Sequence, residues 1–292
     1  MGLADEFPEI ITPDQPLAPF THLKVGGPAQ FLARPRSAEE LSALMRHCSR
    51  ERLPLRVLGG GYNLLVRDEG VTGVVVRLAA PAFTGVAVEG RRVRAGAGAE
   101  LSALISQAAR HNLAGFEALV GIPCTVGGAL RCNAGERTGA IGQSVRWVEV
   151  LDEGGRPDRR ERDELRFADH QSNLDDPVIL AAEFELEPDA VDAIVKRMRK
   201  AWILRQGSQP YSFQAASRMF QDPRGYRAAA LVEQAGLAQT RVGGAEVSDR
   251  NANFVIAHPG AAARDVLRLI DLVQSRVREE TGIDLEQELI VW

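Results

Sequence analysis

A chain of 292 residues, 45% hydrophobic and 25% charged with a net charge of −4, is long enough for two or three packed units. Its mildly acidic balance excludes a nucleic-acid surface carried by bulk charge. No apolar run reaches the roughly 20 residues that span a bilayer, and Met1 is not followed by a basic and then apolar leader, so a cytoplasmic protein is expected. Cys48, Cys124 and Cys132 are odd in number and lack metal-ligand spacing, which predicts free thiols and no metal site.

Residues 1–20 are polar and carry Pro8, Pro13, Pro16 and Pro19, which reads as an extended arm. A strand is predicted over 30–34, ahead of Pro35. Ser37-Ala-Glu-Glu40 then has the form of a capping box that opens a helix to about Arg52. Leu55–Leu58 is a short apolar strand that delivers the chain into Gly59-Gly-Gly61, and Gly73–Leu78 is another strand. A Rossmann fingerprint requires its glycines to open a helix, and strand–loop–strand over 55–78 rejects that reading.

From Phe83 to Gly96 the pattern alternates, with turn chemistry at Glu89-Gly90, and predicts a hairpin. Leu101–Asn112 has helical spacing. Val145–Leu151 and Val178–Leu186 read as strands of one sheet, with a turn at Asp152–Gly155. An amphipathic helix over 189–206 marks the passage into a second domain. There the expectations are a helix near 226–236, a turn at Gly243-Gly244, a strand over 253–257, a long helix over 261–281 and a final strand over 285–292.

Two glycine-rich stretches stand out: Leu58-Gly-Gly-Gly-Tyr-Asn-Leu-Leu-Val66 and Gly121-Ile-Pro-Cys-Thr-Val-Gly-Gly-Ala-Leu-Arg-Cys-Asn-Ala-Gly135. Bare backbone at such turns can approach a phosphate or a flat ring, and two loops a subdomain apart suit a long dinucleotide. Asn63 offers a side-chain donor beside the first. With Val25-Gly-Gly-Pro-Ala29, Gly243-Gly-Ala-Glu-Val-Ser248 and Asn251-Ala-Asn-Phe254, the pair resembles the UDP-N-acetylenolpyruvoylglucosamine reductase family over nearly the whole chain. That family reduces FAD with NADPH and passes hydride to an enolpyruvyl double bond. The resemblance implies a flavin site built from Gly59, Gly60, Gly61, Tyr62, Asn63, Leu64, Gly121, Ile122, Pro123, Cys124, Thr125, Gly127, Gly128, Asn133, Ala134 and Gly135. Within it Tyr62 stands where the family has serine and Cys124 where it has glycine.

The departures extend to the chemistry. The reaction needs a fixed cation for the developing enolate, a proton donor and a carboxylic acid. The family's Tyr-Arg pair corresponds to Asp169-His170 here, while Ser172 is retained. Its serine or cysteine proton donor corresponds to Arg218, and its Lys-Asn to Gln221-Asp222. An arginine side chain, with a pKa above ~12, does not release a proton at neutral pH. Ser217 is adjacent, but one residue along a strand reverses side-chain direction. The family's C-terminal glutamate is kept as Glu288. Asn251 stands where the family commonly has histidine. The implied catalytic positions are thus Glu288, His170 and Arg218.

The resemblance implies an α+β protein with the FAD-binding fold of the vanillyl-alcohol-oxidase/PCMH type and a smaller C-terminal α+β substrate domain. Residues 1–78 and 79–187 would form two FAD-binding subdomains, 188–283 the substrate-type domain, and 284–292 a strand returning to the flavin site. No long insertion lies between 188 and 240, as in the compact type of the family. The cofactor implied is FAD, with NADPH only if activity is retained. The implied partner is a small-molecule UDP-sugar, and a monomer is expected, with no nucleic acid, no membrane span and no specified protein partner. One reading is a diverged paralogue, impaired as a reductase and acting as a binding or interaction protein. The alternatives are an active reductase, with Arg218 as the cation and His170 as the proton donor, and a flavin oxidoreductase with another substrate.

Overall fold

The computed structural model describes residues 2–136, 139–211 and 213–292, which divide into two compact units. The first takes residues 1–13, 31–60 and 72–205, and the second takes 14–30, 61–71 and 206–292.

A four-stranded sheet runs in the order Ile11–Pro16, Pro28–Ala33, Val71–Val76, Leu55–Val57. Its last two strands are parallel, with Val57 opposite Val76. The helix Ala38–Glu51 begins where the sequence placed it, because the Ser37 side chain accepts the Glu40 amide at 3.4 Å. Leu41, Leu44, Met45 and Cys48 form its buried stripe at helical spacing. The expected extended arm is instead partly built into the fold, with a single helical turn at Leu3–Glu6 and a strand at Ile11–Pro16. Leu3, Ile10 and Ile11 are buried, and they outweigh the prolines, which an edge strand tolerates because one side makes no ladder bonds.

The first unit also holds a five-stranded antiparallel sheet in the order Pro157–Glu161, Val145–Leu151, Val178–Glu185, Arg92–Gly96, Val86–Glu89. The predicted hairpin is its edge pair, although Pro81–Thr84 is a helical turn rather than strand. Helix Leu101–Arg110 buries Leu101, Leu104, Ile105 and Ala108 in the same core. A short helix, Val126–Arg131, was not anticipated by strand-and-loop reasoning. Thr125 caps it by accepting the Gly128 amide, so the second glycine pair sits in a first helical turn. The helix expected over 189–206 is found at Val191–Ser208.

In the second unit Ala216–Arg218, Phe254–Ala257, Ala245–Val247 and Arg241–Val242 form an antiparallel sheet. Helix Ala263–Thr281 covers it with Val266, Leu269, Ile270, Val273 and Val277, and stops at Gly282, whose φ of 71° suits glycine. Helix Ala228–Gln234 adds Leu231 and Val232 to that core. The expected C-terminal strand over 285–292 is shorter, at Ile290–Val291. It pairs in parallel with Leu64–Leu65, so the end of the chain is fixed beside the segment after the first glycine loop. No helix among the described residues is long and apolar enough to cross a membrane.

Candidate functional site

The first unit contains a cavity of about 490 Å³ walled by both glycine segments. Gly59 and Gly60 leave the strand Leu55–Val57 on one side, and Thr125, Gly127 and Gly128 enter the short helix on the other. The walls meet closely. A Cβ on Gly59 would stand 2.9 Å from the Thr125 hydroxyl oxygen, and one on Gly127 would stand 2.9 Å from the Ala97 Cβ. The sequence reading missed the third wall, Ala97-Gly98-Ala99, where a Cβ on Gly98 would lie 1.8 Å from the Leu78 carbonyl oxygen. Its signal was present as Gly96-Ala-Gly-Ala99 at the end of a predicted strand.

Three charged side chains line this cavity: Arg77, Glu100 and Arg131. Burial lowers the Arg77 and Arg131 pKa values from their ordinary value, and burial raises that of Glu100 against the pull of Arg77.

Of the other expected flavin residues in this unit, Gly121, Ile122, Pro123 and Cys124 are not among those lining the cavity. Cys124 is half-buried against the first core, and burial drives its thiol pKa far up. Its backbone φ is not positive, so the loss of glycine there introduces no strain. Asn133 does take positive φ (44°), and its side chain is fully engaged. Its amide nitrogen donates to the Ala168 carbonyl at 2.7 Å, and its oxygen accepts the Gly142 amide at 3.1 Å. Asn133 and Gly135 line a second cavity, of about 440 Å³, with Arg162, Phe167 and Asp169. Asn133 thus clamps the hairpin Phe167–Ala168/Gln171–Ser172 to the turn after the short helix.

Asp169 and His170 are the two turn residues of that hairpin, with His170 at φ 52°. Their side chains are 79% and 59% exposed and stand 3.9 Å apart, a solvated pair. The retained Ser172 donates to the Arg131 carbonyl at 2.9 Å and serves the packing of the hairpin.

Gly61, Tyr62, Asn63 and Leu64 belong to the second unit. Gly61 has φ 66°, and a Cβ there would strike the Phe20 carbonyl oxygen at 2.3 Å. The Tyr62 ring leans on His22, with ring centres 4.9 Å apart. Its carbonyl accepts the Ser217 hydroxyl at 2.9 Å. Asn63 donates to the Glu288 carbonyl at 3.1 Å, so the amide read as a phosphate donor also ties the C-terminal segment to its loop.

Arg218 and Glu288 come together here. Strand Ala216–Arg218 ends in a turn held by Asn253, whose side chain accepts the Phe220 amide at 3.0 Å and donates to its carbonyl at 2.8 Å. The Glu288 amide donates to the Met219 carbonyl at 2.8 Å. Arg218 then reaches the Glu288 carboxylate at 3.0 Å, the Asp222 carboxylate at 3.0 Å and the Phe220 carbonyl at 3.2 Å. Ser217 is buried, and its hydroxyl is engaged by the Tyr62 carbonyl. Asn251 caps its own turn by accepting the Asn253 amide at 3.0 Å.

Residues 29–157 match the family model of an FAD binding domain, and residues 209–292 match that of the UDP-N-acetylenolpyruvoylglucosamine reductase C-terminal domain. The UDP-N-acetylenolpyruvoylglucosamine reductase of Moorella thermoacetica is 43% identical over 96% of this chain and 92% of its own. That of Rhodopirellula baltica is 37% identical over 100% of this chain and 97% of its own. Among solved structures, the UDP-N-acetylenolpyruvylglucosamine reductase of Thermus caldophilus superposes with a TM-score of 0.82 at 37% identity, over 97% of this chain and 98% of that one. The architecture is therefore the α+β FAD-binding fold of the vanillyl-alcohol-oxidase/PCMH type followed by a C-terminal domain of the reductase type.

Proposed function

The chain belongs to the UDP-N-acetylenolpyruvoylglucosamine reductase family, the FAD-dependent reductases of peptidoglycan precursor synthesis, and from that premise we propose that it binds FAD but is impaired as a reductase. The observation that carries this reading is the ion pair of Arg218 with Glu288. The retained acid faces a permanent cation at the place where the family has a proton donor.

The residues of the first unit fit the cofactor. Gly59, Gly98 and Gly127 keep the cavity walls close to one another where side chains would collide, and Arg77 and Arg131 bring positive charge to them. When bound, FAD supplies the hydride that the family delivers to an enolpyruvyl carbon.

What this chain adds to that chemistry is deficient on two counts. No arginine stands at the Tyr-Arg position, where Asp169 and His170 form an exposed turn. The position of the proton donor holds a guanidinium, which keeps its proton at neutral pH. The alternative, in which Arg218 serves as the enolate cation, requires that cation to be available. Arg218 already has two carboxylates at 3.0 Å. A substrate carboxylate would have to displace one of them. Impairment is therefore the stronger reading, with a retained ligand, FAD or a UDP-sugar, as the basis of a binding role.

The test is to saturate the purified protein with FAD, remove the excess, and supply NADPH and UDP-N-acetylglucosamine enolpyruvate. We expect flavin to remain bound and UDP-N-acetylmuramate to accumulate at least a hundredfold more slowly than with the Moorella relative, since each missing group is worth orders of magnitude. Comparable product formation would overturn the impairment. A protein that retains no flavin would overturn the proposal that it binds FAD.

A further inference from the structure

A guanidinium pairs best with a carboxylate through two parallel bonds, and Nε with Nη2 forms one edge that offers them. In Arg218 that edge is divided between two acids. Nε stands 3.0 Å from the Glu288 carboxylate and 3.2 Å from the Phe220 carbonyl, while Nη2 stands 3.0 Å from the Asp222 carboxylate. One cation faces two anions, so the three side chains together are negative.

Neither acid is loosely held. Asp222 turns Oδ2 to Arg218, and its Oδ1 accepts the amide of Ala228, the first residue of helix Ala228–Gln234, at 2.8 Å. Glu288 is fixed through its main chain, because its amide donates to the Met219 carbonyl at 2.8 Å and the preceding Gln287 bridges to Phe220. The two differ in access. The Asp222 side chain is 50% exposed against 27% for Glu288, so an anion approaching Arg218 from solvent meets Asp222 first.

We propose that Asp222 determines the charge of the ligand accepted beside Arg218: it holds the Nη2 side of the guanidinium against carboxylates, so that a UDP-sugar without a carboxylate is bound in preference to one that carries it. This rests on the reading that the chain is impaired as a reductase and retains a UDP-sugar. Asp222 acts through Arg218 and is a positioning residue. A ligand carboxylate has to take Nη2 from an anion already at hydrogen-bond distance and anchored by a main-chain amide, and it does so in the field of two negative charges.

The test titrates the purified protein, by calorimetry, with UDP-N-acetylglucosamine and with UDP-N-acetylmuramate, which differ only in the ether-linked lactate that bears a carboxylate. The wild type should bind the first at least as tightly as the second. Asp222→Asn keeps an oxygen for the Ala228 amide and removes the charge. It should tighten UDP-N-acetylmuramate about tenfold or more and leave UDP-N-acetylglucosamine within about twofold, a selectivity that a merely structural change does not produce. Adding Arg218→Gln to that variant should abolish the gain, because the effect passes through the guanidinium. A wild type that already prefers the carboxylate, an Asp222→Asn variant that shifts both ligands equally or neither, or failure of both ligands to bind would overturn the proposal, as would a gain that survives Arg218→Gln. Turnover separates this from the reading it rests on. Product formation by the wild type removes the impairment whatever the titrations give, whereas an inactive wild type with no selective gain in Asp222→Asn removes the proposal alone.

Discussion

Arg218 lies 3.0 Å from the carboxylate of Glu288, a residue 70 positions further along the chain, and the two are held in register by the Met219 carbonyl and the Glu288 amide. The contact joins a substituted position to a retained one. An ion pair thus stands at the two positions that the resemblance reads as an acid and a proton donor, and Asp222 adds a second carboxylate to the same guanidinium. The three residues form one electrostatic unit, so changing Arg218 alone leaves two acids without their cation.

Arg218→Ser should therefore not restore turnover. Because Arg218 is about a third exposed, its loss should change stability by no more than about 1 kcal/mol. Adding Asp169→Tyr and His170→Arg should raise the rate at least tenfold over that single variant. Initial rates of NADPH oxidation check this, and a single variant as fast as the triple one would show that the exposed hairpin turn does not matter.

Asn133→Ala should destabilise the first unit by roughly 2–4 kcal/mol. It removes the acceptor of the buried Gly142 amide and the donor to Ala168, and puts alanine at φ 44°. Urea unfolding followed by circular dichroism measures the loss. A change below about 0.5 kcal/mol would show that the clamp is dispensable.

Cys124→Gly should cost roughly 1–2 kcal/mol, from lost packing and from the freer unfolded chain, while FAD affinity stays within about twofold. The thiols should also differ in reactivity. Burial pushes the Cys48 thiol up to about 11 and Cys124 higher still, whereas Cys132 is exposed. Brief alkylation of the native protein should modify Cys132 alone, as mass spectrometry of the digest would show.

The second unit should lose stability in acid through Glu246 and Asp265. Burial raises the Glu246 pKa, but hydrogen bonding from His258 at 2.5 Å and Arg241 at 2.6 Å outweighs it, and the net value lies below the ordinary 4.5. Asp265 lies below the ordinary 3.8 because it accepts the Gly244 and Ala262 amides. Carboxyls depressed in the folded state contribute stability that is fully present above their unfolded pKa values and is lost as pH falls through the folded ones. The unfolding midpoint should therefore decline below about pH 4.5, and Glu246→Gln with Asp265→Asn should flatten that decline. An unchanged slope in the double variant would contradict the assignment.

Much of this was legible in the sequence because it depends on local pattern. Ser37 announced a helix, the alternation around Glu89-Gly90 announced a hairpin, and the glycine runs announced a cavity. Contacts between distant segments were not legible. Arg77 and Arg131 carry no local signal of their own, and strand pairing and the short helix bring them to one cavity. Cys124 stands where the family has glycine, yet its backbone shows that glycine's freedom is not needed there. The pairing of Arg218 with Glu288 depends on the turn after strand Ala216–Arg218 meeting the C-terminal segment, and no local spacing encodes that.

The most direct test of the central claim is the steady-state rate of NADPH oxidation by the FAD-loaded protein with saturating UDP-N-acetylglucosamine enolpyruvate, measured beside the Moorella relative under the same conditions. The ion pair and the exposed Asp169-His170 turn predict a rate at or near the background without substrate. Turnover within about tenfold of a typical enzyme's ~10 per second would contradict it and favour the active-reductase alternative.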